Sequence, residues 1–347
     1  MKRRTAILAA GDFPAVGSEP ERLLWAATRV VACDSAAMAY RRRFRRWPDV
    51  VIGDLDSLNV GDCPELARRC VRVSDQETND LAKALDFCRA EDPDGWKDAV
   101  VILGATGKRE DHTIGNVYRA LEAEVPIVSE FGAFLPVRGR LTFRTQKDVG
   151  VSVFAGSPQT RMTSRGLRWK LDGVRFDNPY CATLNRASSE TVTVTSTHPA
   201  FAYVARPEGA VRAVVSLGSN VGARAAYLQR ALSFLARLPR TRLLDISSVR
   251  ETEPVDVPVE YAAQKFLNQA AIFETTLDAR TFAQAMHAVE GRLGRVRTVR
   301  NGPRTIDLDL ISFGSVKMET PELTLPHPRA KMRAFVLDPL KELGLRL

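Results

Sequence analysis

The segment Arg300-Asn-Gly-Pro-Arg-Thr-Ile-Asp-Leu-Asp-Leu-Ile311 constrains this chain more than any other. Thr305–Phe313 reads as a strand, and Leu308, Leu310 and Ile311 make it a buried one. On a strand, Asp307 and Asp309 share one face with Cα atoms roughly 6.7 Å apart. An edge strand of alternating charge is the plainer alternative, but the apolar residues beside the acids argue against it. Two carboxylates in that setting are costly unless a metal or an arginine answers them. The pair suits two Mg²⁺ ions roughly 3.5–4 Å apart, which would neutralise the phosphate oxygens of ATP.

Arginines crowd the same region. Arg295, Arg297, Arg300 and Arg304 precede or enter the acidic strand, and His327 and Arg333 follow in Leu325-Pro-His-Pro-Arg-Ala-Lys-Met-Arg-Ala-Phe335. Either basic stretch alone would pass as solvated surface. Combined with the Asp pair, they point to a nucleotide site. Around this segment, Val211–Leu217, Arg242–Val249 and Leu267–Glu274 read as strands, and Ala223–Leu238 and Ala279–Leu293 as helices. The order βαββαβ over residues 211–347 predicts a ferredoxin-like α+β domain.

Upstream the texture differs. Residues 1–132 alternate short apolar runs (Thr5–Ala10, Arg29–Ala32, Val50–Ile52, Val100–Leu103) with helical patterns (Glu19–Ala27, Leu81–Arg89, Gly115–Glu122). That alternation predicts an α/β domain with a mainly parallel sheet. Residues 133–206 are β-rich at Val149–Phe154, Leu167–Leu171 and Thr191–Thr197 and broken by turn residues, which predicts a small antiparallel β domain. Arg206-Pro-Glu-Gly209 reads as a linker.

Ligands of parallel sheets gather beyond the carboxyl ends of the strands. Acidic residues stand there in Cys33-Asp34-Ser35, Ile52-Gly-Asp-Leu-Asp-Ser57, Thr78-Asn-Asp80 and Gly107-Lys-Arg-Glu-Asp-His112. Asp80 and Asp111, each taken alone, read more simply as helix caps. A cap does not need the second carboxylate of Asp54 and Asp56, so that pair points to metal. The region has no Walker A motif and no complete GxGxxG.

Composition narrows the classes. The chain has 347 residues, 45% hydrophobic and 26% charged, which suits two or three globular domains. The five cysteines form no CxxC pair, which argues against a disulfide framework or structural zinc. No apolar run approaches the roughly 20 residues of a membrane span. The basic start and the apolar Thr5–Ala10 are too short for a secretory signal, so a cytoplasmic location is expected.

The motifs carry two resemblances. From about residue 211 onward, Leu217-Gly-Ser-Asn220, the Gly-Pro-Arg-x-x-Asp-x-Asp segment and the Pro-His-Pro-Arg-x-x-x-Arg-x-Phe segment resemble hydroxymethyldihydropterin pyrophosphokinase. The resemblance implies that Asp307 and Asp309 hold two Mg²⁺ and work in catalysis with Arg295 and Arg304. It puts Glu290, Arg295, Arg297, His327 and Arg333 on ATP. Thr252, Val255, Phe266 and Asn268 would hold the pterin, with Phe335 covering one ring face. Asn301 departs from the aromatic residue of some members.

Residues 1–206 resemble thiamine pyrophosphokinase. The likeness rests on Gly-Asp-x-Asp-Ser, Asn-Asp, Gly-x-x-Gly-x-Arg-x-Asp-His, Gly166-Leu-Arg-Trp169 and Thr183-Leu-Asn185. It implies Mg²⁺ at Asp54, Asp56 and Asp80, ATP at Asp34, phosphates and catalysis at Arg109 and Asp111, and thiamine at Asn185 and Trp169. It also implies a homodimer through this half. Asn79 departs from the Thr of many members.

Both families move a diphosphate from ATP to a primary alcohol and release AMP. The chain is therefore expected to be a bifunctional diphosphotransferase acting on small molecules, with no nucleic-acid or membrane partner. In one alternative, residues 1–206 are only a dimerising scaffold. In another, the net charge of +9 and the βαββαβ order would mean RNA binding, but an acidic central strand repels phosphodiester.

Overall fold

The computed structural model describes residues 4–56, 58, 60, 63–75, 77–295 and 302–346. They form two compact units, 1–206 without residues 144–146, and 207–347 with them. Among the described residues no helix is long and apolar enough to cross a membrane.

The first unit opens with β1 (Thr5–Leu8), α1 (Glu19–Ala26), β2 (Arg29–Cys33), α2 (Ala36–Phe44) and β3 (Val50–Gly53). It continues with α3 (Pro64–Ala67), β4 (Cys70–Arg72), α4 (Asp80–Glu91), α5 (Trp96–Ala99), β5 (Val100–Leu103), α6 (Glu110–Ala123) and β6 (Ile127–Val128). Strands β6-β5-β1-β2-β3-β4 pair in parallel in that order. Their side chains alternate between two cores. Ile7, Val31, Ile52 and Ile102 pack on α4 and α6, while Ala6, Leu8, Val30 and Val51 pack on α1, α2 and α3. Burial on both faces explains why these strands read as unbroken apolar runs.

The remainder of the unit is antiparallel: β7 (Gly132–Val137), β8 (Arg140–Arg144), β9 (Gly150–Ala155), β10 (Met162–Arg165), β11 (Ala182–Arg186), β12 (Thr191–Ser196) and β13 (Ala200–Ala205). Ile127 and Val128 of β6 pair antiparallel with Phe134 and Ala133 of β7. The change of texture near residue 132 therefore falls at a strand pairing inside one sheet, which runs on as β7-β13-β9-β11. A second sheet, β10-β12-β8, closes over it across Val137, Val151, Val153, Met162, Val192 and Val194. Leu167–Leu171 is not a strand. Gly166 takes φ +79°, and only Leu167 bridges to Ala187.

The second unit contains β14 (Val211–Ser219), α7 (Arg224–Leu235), β15 (Thr241–Ile246), β16 (Arg250–Thr252), β17 (Phe266–Thr275), α8 (Ala279–Arg292), β18 (Asp307–Phe313) and α9 (Ala334–Glu342). Its antiparallel sheet has the order β15-β17-β14-β18, with β16 extending the pairing along β17. Alternation sorts β14 by face. Ala213, Val215 and Leu217 join α7 and α8 in one core, and Val214 joins Ile272, Ile311, Val336 and Leu340 under α9. Asp307 and Asp309 share parity with Ile311, so they emerge on the α9 face.

Candidate active sites

On that face the second unit holds a cleft of about 180 Å³. Asp309 pairs across the ladder with Ser216, and Asp307 with Gly218. Gly218 also stands opposite Asn268 on β17. A Cβ there would come within 3.1 Å of Asn268 Oδ1, so glycine leaves room for the amide. Asn268 is buried and donates through Nδ2 to Thr252 Oγ1 at 2.8 Å. Thr252, Val255, Phe266, Asn268 and Phe335 all line the cleft, together with Arg295, Arg304, His327 and Arg333.

The acids and bases answer one another unevenly. Asp307 is held by Arg295 Nη2 at 2.7 Å and Arg304 Nη1 at 2.6 Å, whereas Asp309 has Arg333 Nη1 at 3.9 Å. Burial, then the neighbouring Asp307, pushes the Asp309 carboxyl up to about 6. Burial, with Arg333 and Arg329 close by, holds His327 below its ordinary value, which keeps the imidazole neutral. Among the described residues its buried Nδ1 has no hydrogen-bond partner, nor has Nε of Arg304. The guanidiniums of Arg304 and Arg333 lie 5.5 and 5.4 Å from the rings of Phe266 and Phe335. This stacking joins the charged side of the cleft to its aromatic side.

Glu290 reaches the cleft through Arg295. It is 2% exposed, does not line the cleft, and binds Arg295, His287 Nδ1 at 3.1 Å and the Leu308 N–H at 2.8 Å. These contacts tie the carboxylate to Arg295 and to the acidic strand. Arg297, Arg300 and Asn301 lie outside the described residues, as does Ser57.

In the first unit a cleft of about 400 Å³ opens at the carboxyl ends of β1, β2, β3 and β5. Asp54, Asp80 and Arg109 line it. Carboxylate oxygens of Asp34, Asp54 and Asp56 lie within 4.8 Å of one another, an all-oxygen set suited to a hard cation. Asp34 therefore stands with the metal candidates. A Cβ on Gly53 would meet Asp34 Cβ at 3.0 Å and Asp80 Oδ1 at 3.2 Å, which brings Asp80 to the same backbone. Asp34 and Leu55 hold φ of 31° and 62°, strained values for residues with a side chain.

The cap of α4 is Asn79, whose Oδ1 accepts from Ala82 N at 2.9 Å. The Asp80 carboxylate is thereby left to face the cleft and Lys83 Nζ, 3.3 Å away. Asp111 is exposed, paired with Arg109 at 2.5 Å and away from the cleft lining. Asn185, by contrast, is buried and engaged with the Trp169 backbone, accepting from N at 3.2 Å and donating to O at 2.6 Å. The ring of Trp169 is exposed.

Sequence reasoning passed over several lining residues: Lys83, Lys108 and Asn116 in the first unit, and Ser216, Glu253 and Arg329 in the second. Lys83 could have been found, because it stands one helical turn after Asp80. Ser216 was legible only once β14 was aligned with β18.

Three family models match the chain. One described as 7,8-dihydro-6-hydroxymethylpterin-pyrophosphokinase covers residues 214–344. The thiamin pyrophosphokinase catalytic domain covers 21–128, and its substrate-binding domain covers 132–203. The 2-amino-4-hydroxy-6-hydroxymethyldihydropteridine pyrophosphokinase of Bacillus subtilis is 42% identical over 131 residues, 38% of this chain and 77% of that protein. The protein of the same description from Pseudomonas aeruginosa is 39% identical over 133 residues, 38% of this chain and 80% of its own length. A crystal structure of thiamin pyrophosphokinase from Geobacillus thermodenitrificans aligns with a TM-score of 0.45 at 21% identity, covering 59% of this chain and 97% of that one.

Proposed function

The chain belongs through residues 214–344 to the 7,8-dihydro-6-hydroxymethylpterin-pyrophosphokinase family and carries thiamin pyrophosphokinase domains before them, and from that premise we propose how each cleft works. It is a fused ATP-dependent diphosphotransferase. The C-terminal cleft takes 6-hydroxymethyl-7,8-dihydropterin, and the N-terminal one takes thiamine. In each reaction the substrate alcohol oxygen bonds to the β-phosphorus of ATP. The bond from that phosphorus to the oxygen bridging to the α-phosphorus breaks, AMP leaves with that oxygen, and the alcohol gives up its proton.

In the C-terminal cleft Asn268 pairs with the polar edge of the pterin, while Phe266 and Phe335 hold its faces. Arg295, Arg304 and Arg333 take the phosphate oxygens as negative charge shifts toward the departing AMP. Neutral His327 offers a hydrogen bond without adding charge. Asp307 and Asp309 would hold Mg²⁺. The fit is electrostatic: an oxygen-only pair whose second member is pushed up to about 6 by burial and its neighbour is relieved by a dication. Bound there, Mg²⁺ would neutralise phosphate charge and orient the triphosphate.

The sheet order β15-β17-β14-β18, with two βαβ crossovers, supports a ferredoxin-like reading of this unit. In the N-terminal cleft, Asp34, Asp54, Asp56 and Asp80 would hold Mg²⁺, Arg109 would take phosphate, and Trp169 would meet thiamine. A homodimer through this half belongs to the same proposal. Phe131 and Leu184, 78% and 85% exposed, suit a second copy.

One observation carries the reading: a carboxylate pair on the sheet's edge strand faces three arginines in a cleft also lined by an amide and two aromatic rings. The test is AMP release from Mg-ATP, with hydroxymethyldihydropterin and thiamine supplied separately. Each should support turnover. Failure of the pterin to do so in folded protein would sink the C-terminal assignment, and failure of thiamine the N-terminal one.

A further inference from the structure

We propose that Glu342, at the far end of α9, is a positioning residue that sets where the pterin ring sits without touching it. The inference rests on the C-terminal cleft being the pterin site. A carboxylate in the last turn of a helix faces the negative end of the helix dipole, an unfavourable place unless donors compensate. Here three do. Ser248 N donates to Oε1 at 2.8 Å, Ser248 Oγ to Oε2 at 2.7 Å, and Arg250 Nη2 to Oε2 at 3.2 Å. The Glu342 side chain is only 12% exposed, which strengthens these charge-assisted bonds.

The corner that Glu342 grips is bolted to the sheet on its other side. Ser247 N donates to Ala270 O at 2.9 Å, Ala270 N to Ser247 Oγ at 2.9 Å, and Gln269 Nε2 to Ser247 O at 2.7 Å. From this corner the chain runs directly into β16, where Arg250 pairs with Asn268 and Thr252 with Phe266. The wall that holds the pterin edge thus begins at the clamp.

The other partner of the clamp is the helix that carries the covering ring. Phe335 and Glu342 are seven positions apart, close to two helical turns, so they share a face of α9 roughly 10 Å apart along its axis. Val336, Leu340 and Leu343 pack α9 onto Ala270 and Ile272. That apolar contact fixes the distance from the sheet but not the rotation or slide of the helix, because hydrophobic packing has no direction. The Glu342 bonds do have direction. They tie the angle of α9, and so the height of Phe335 over the cleft, to the same corner that places Thr252 and Asn268.

The test uses the full chain with Glu342→Ala, Glu342→Gln and Ser248→Ala, following AMP formation with each alcohol. Glu342→Ala should raise the pterin KM about tenfold, the size of a small misplacement of a binding wall. The KM for ATP and the thiamine reaction should stay within about twofold of wild type. Glu342→Gln, which retains an acceptor and can donate to Ser248 Oγ, should recover most of the loss. Ser248→Ala should fall between, and it carries the test if Glu342→Ala does not fold. A normal pterin KM in the folded variants overturns the proposal. So does an equal rise in both KM values with a lowered Tm, which would mark a merely structural tie. A wild-type protein without pterin turnover would instead remove the assignment of the cleft.

Discussion

At the C-terminal cleft the two carboxylates stand on β18, which proves to be the edge strand of its sheet and pairs there with β14, and face arginine: Asp307 at 2.7 and 2.6 Å, Asp309 at 3.9 Å. At the N-terminal cleft Asp34, Asp54 and Asp56 stand on loops beyond the strand ends and face one another within 4.8 Å. The first arrangement takes its spacing from the pleat of β18, which the backbone ladder holds rigid. The second takes it from loop residues kept at left-handed φ. One reaction class is thus served by two kinds of mount. A strand gives a fixed pair that needs internal cations, and a ring of loop ends gives a cluster that gathers more acids but depends on strained backbone.

The largest expected effect would break the comparison at its stronger end. Asp309→Ala should lower pterin-dependent AMP formation by about 10³-fold, the range for removing a key electrostatic group from an active site, while thiamine-dependent AMP continues. Near-normal pterin turnover in a folded variant would mean that the strand pair does not carry the chemistry. Asp54→Ala should do the converse. Thiamine-dependent turnover should fall about 10²-fold, with the pterin rate within a factor of two, because each cleft is built within its own unit. Parallel loss of both activities would show that the two clefts are not independent.

A smaller effect sharpens the electrostatic half of the contrast. Asp309 is raised from 3.8 to about 6, so in metal-free protein the folded state keeps this proton after the unfolded chain has released it. Stability of the C-terminal unit should therefore decline as pH rises from about 4 to about 6. Thermal melts in chelator should show Tm falling by a few degrees across that window, and Asp309→Asn should flatten the slope. An unchanged slope in that variant would place the titration elsewhere. The smallest effect belongs to the loops. Asn79→Ala removes the α4 cap and should cost about 1 kcal/mol, whereas Asn79→Thr, a poorer but real cap, should cost less. Chemical denaturation measures both, and equal losses would deny the capping role.

Much of the C-terminal cleft was legible because its residues follow strand periodicity. Asp307 and Asp309 alternate with Leu308 and Leu310, and that pattern alone puts them on one face. The surroundings of Glu290 were not legible, because a sequence does not say whether an acid on a helix faces solvent, a ligand or a neighbouring strand. Here it faces Arg295 and the Leu308 N–H. In the N-terminal unit, α2 went unseen because its arginine run, Arg41–Arg43, masks the apolar stripe of Ala36, Ala37, Tyr40 and Phe44. Strands β4 and β6, three and two residues long, are too short to display any period.

Local chemistry written along the chain determined the element types, the shared face of Asp307 and Asp309, the crowd of arginines before them, and the acids at the mouths of parallel strands. Those features depend on neighbours a few residues apart, where backbone geometry is nearly invariant. Only the tertiary structure decided which arginine meets which aspartate, that Asp34 joins Asp54 and Asp56, that Asn79 and not Asp80 caps α4, and that the β-rich stretch continues the parallel sheet through β6 and β7. These outcomes depend on contacts between residues far apart in the chain. The free energy of such contacts is set by burial and by the partners that burial supplies, and neither can be read from a residue and its immediate neighbours.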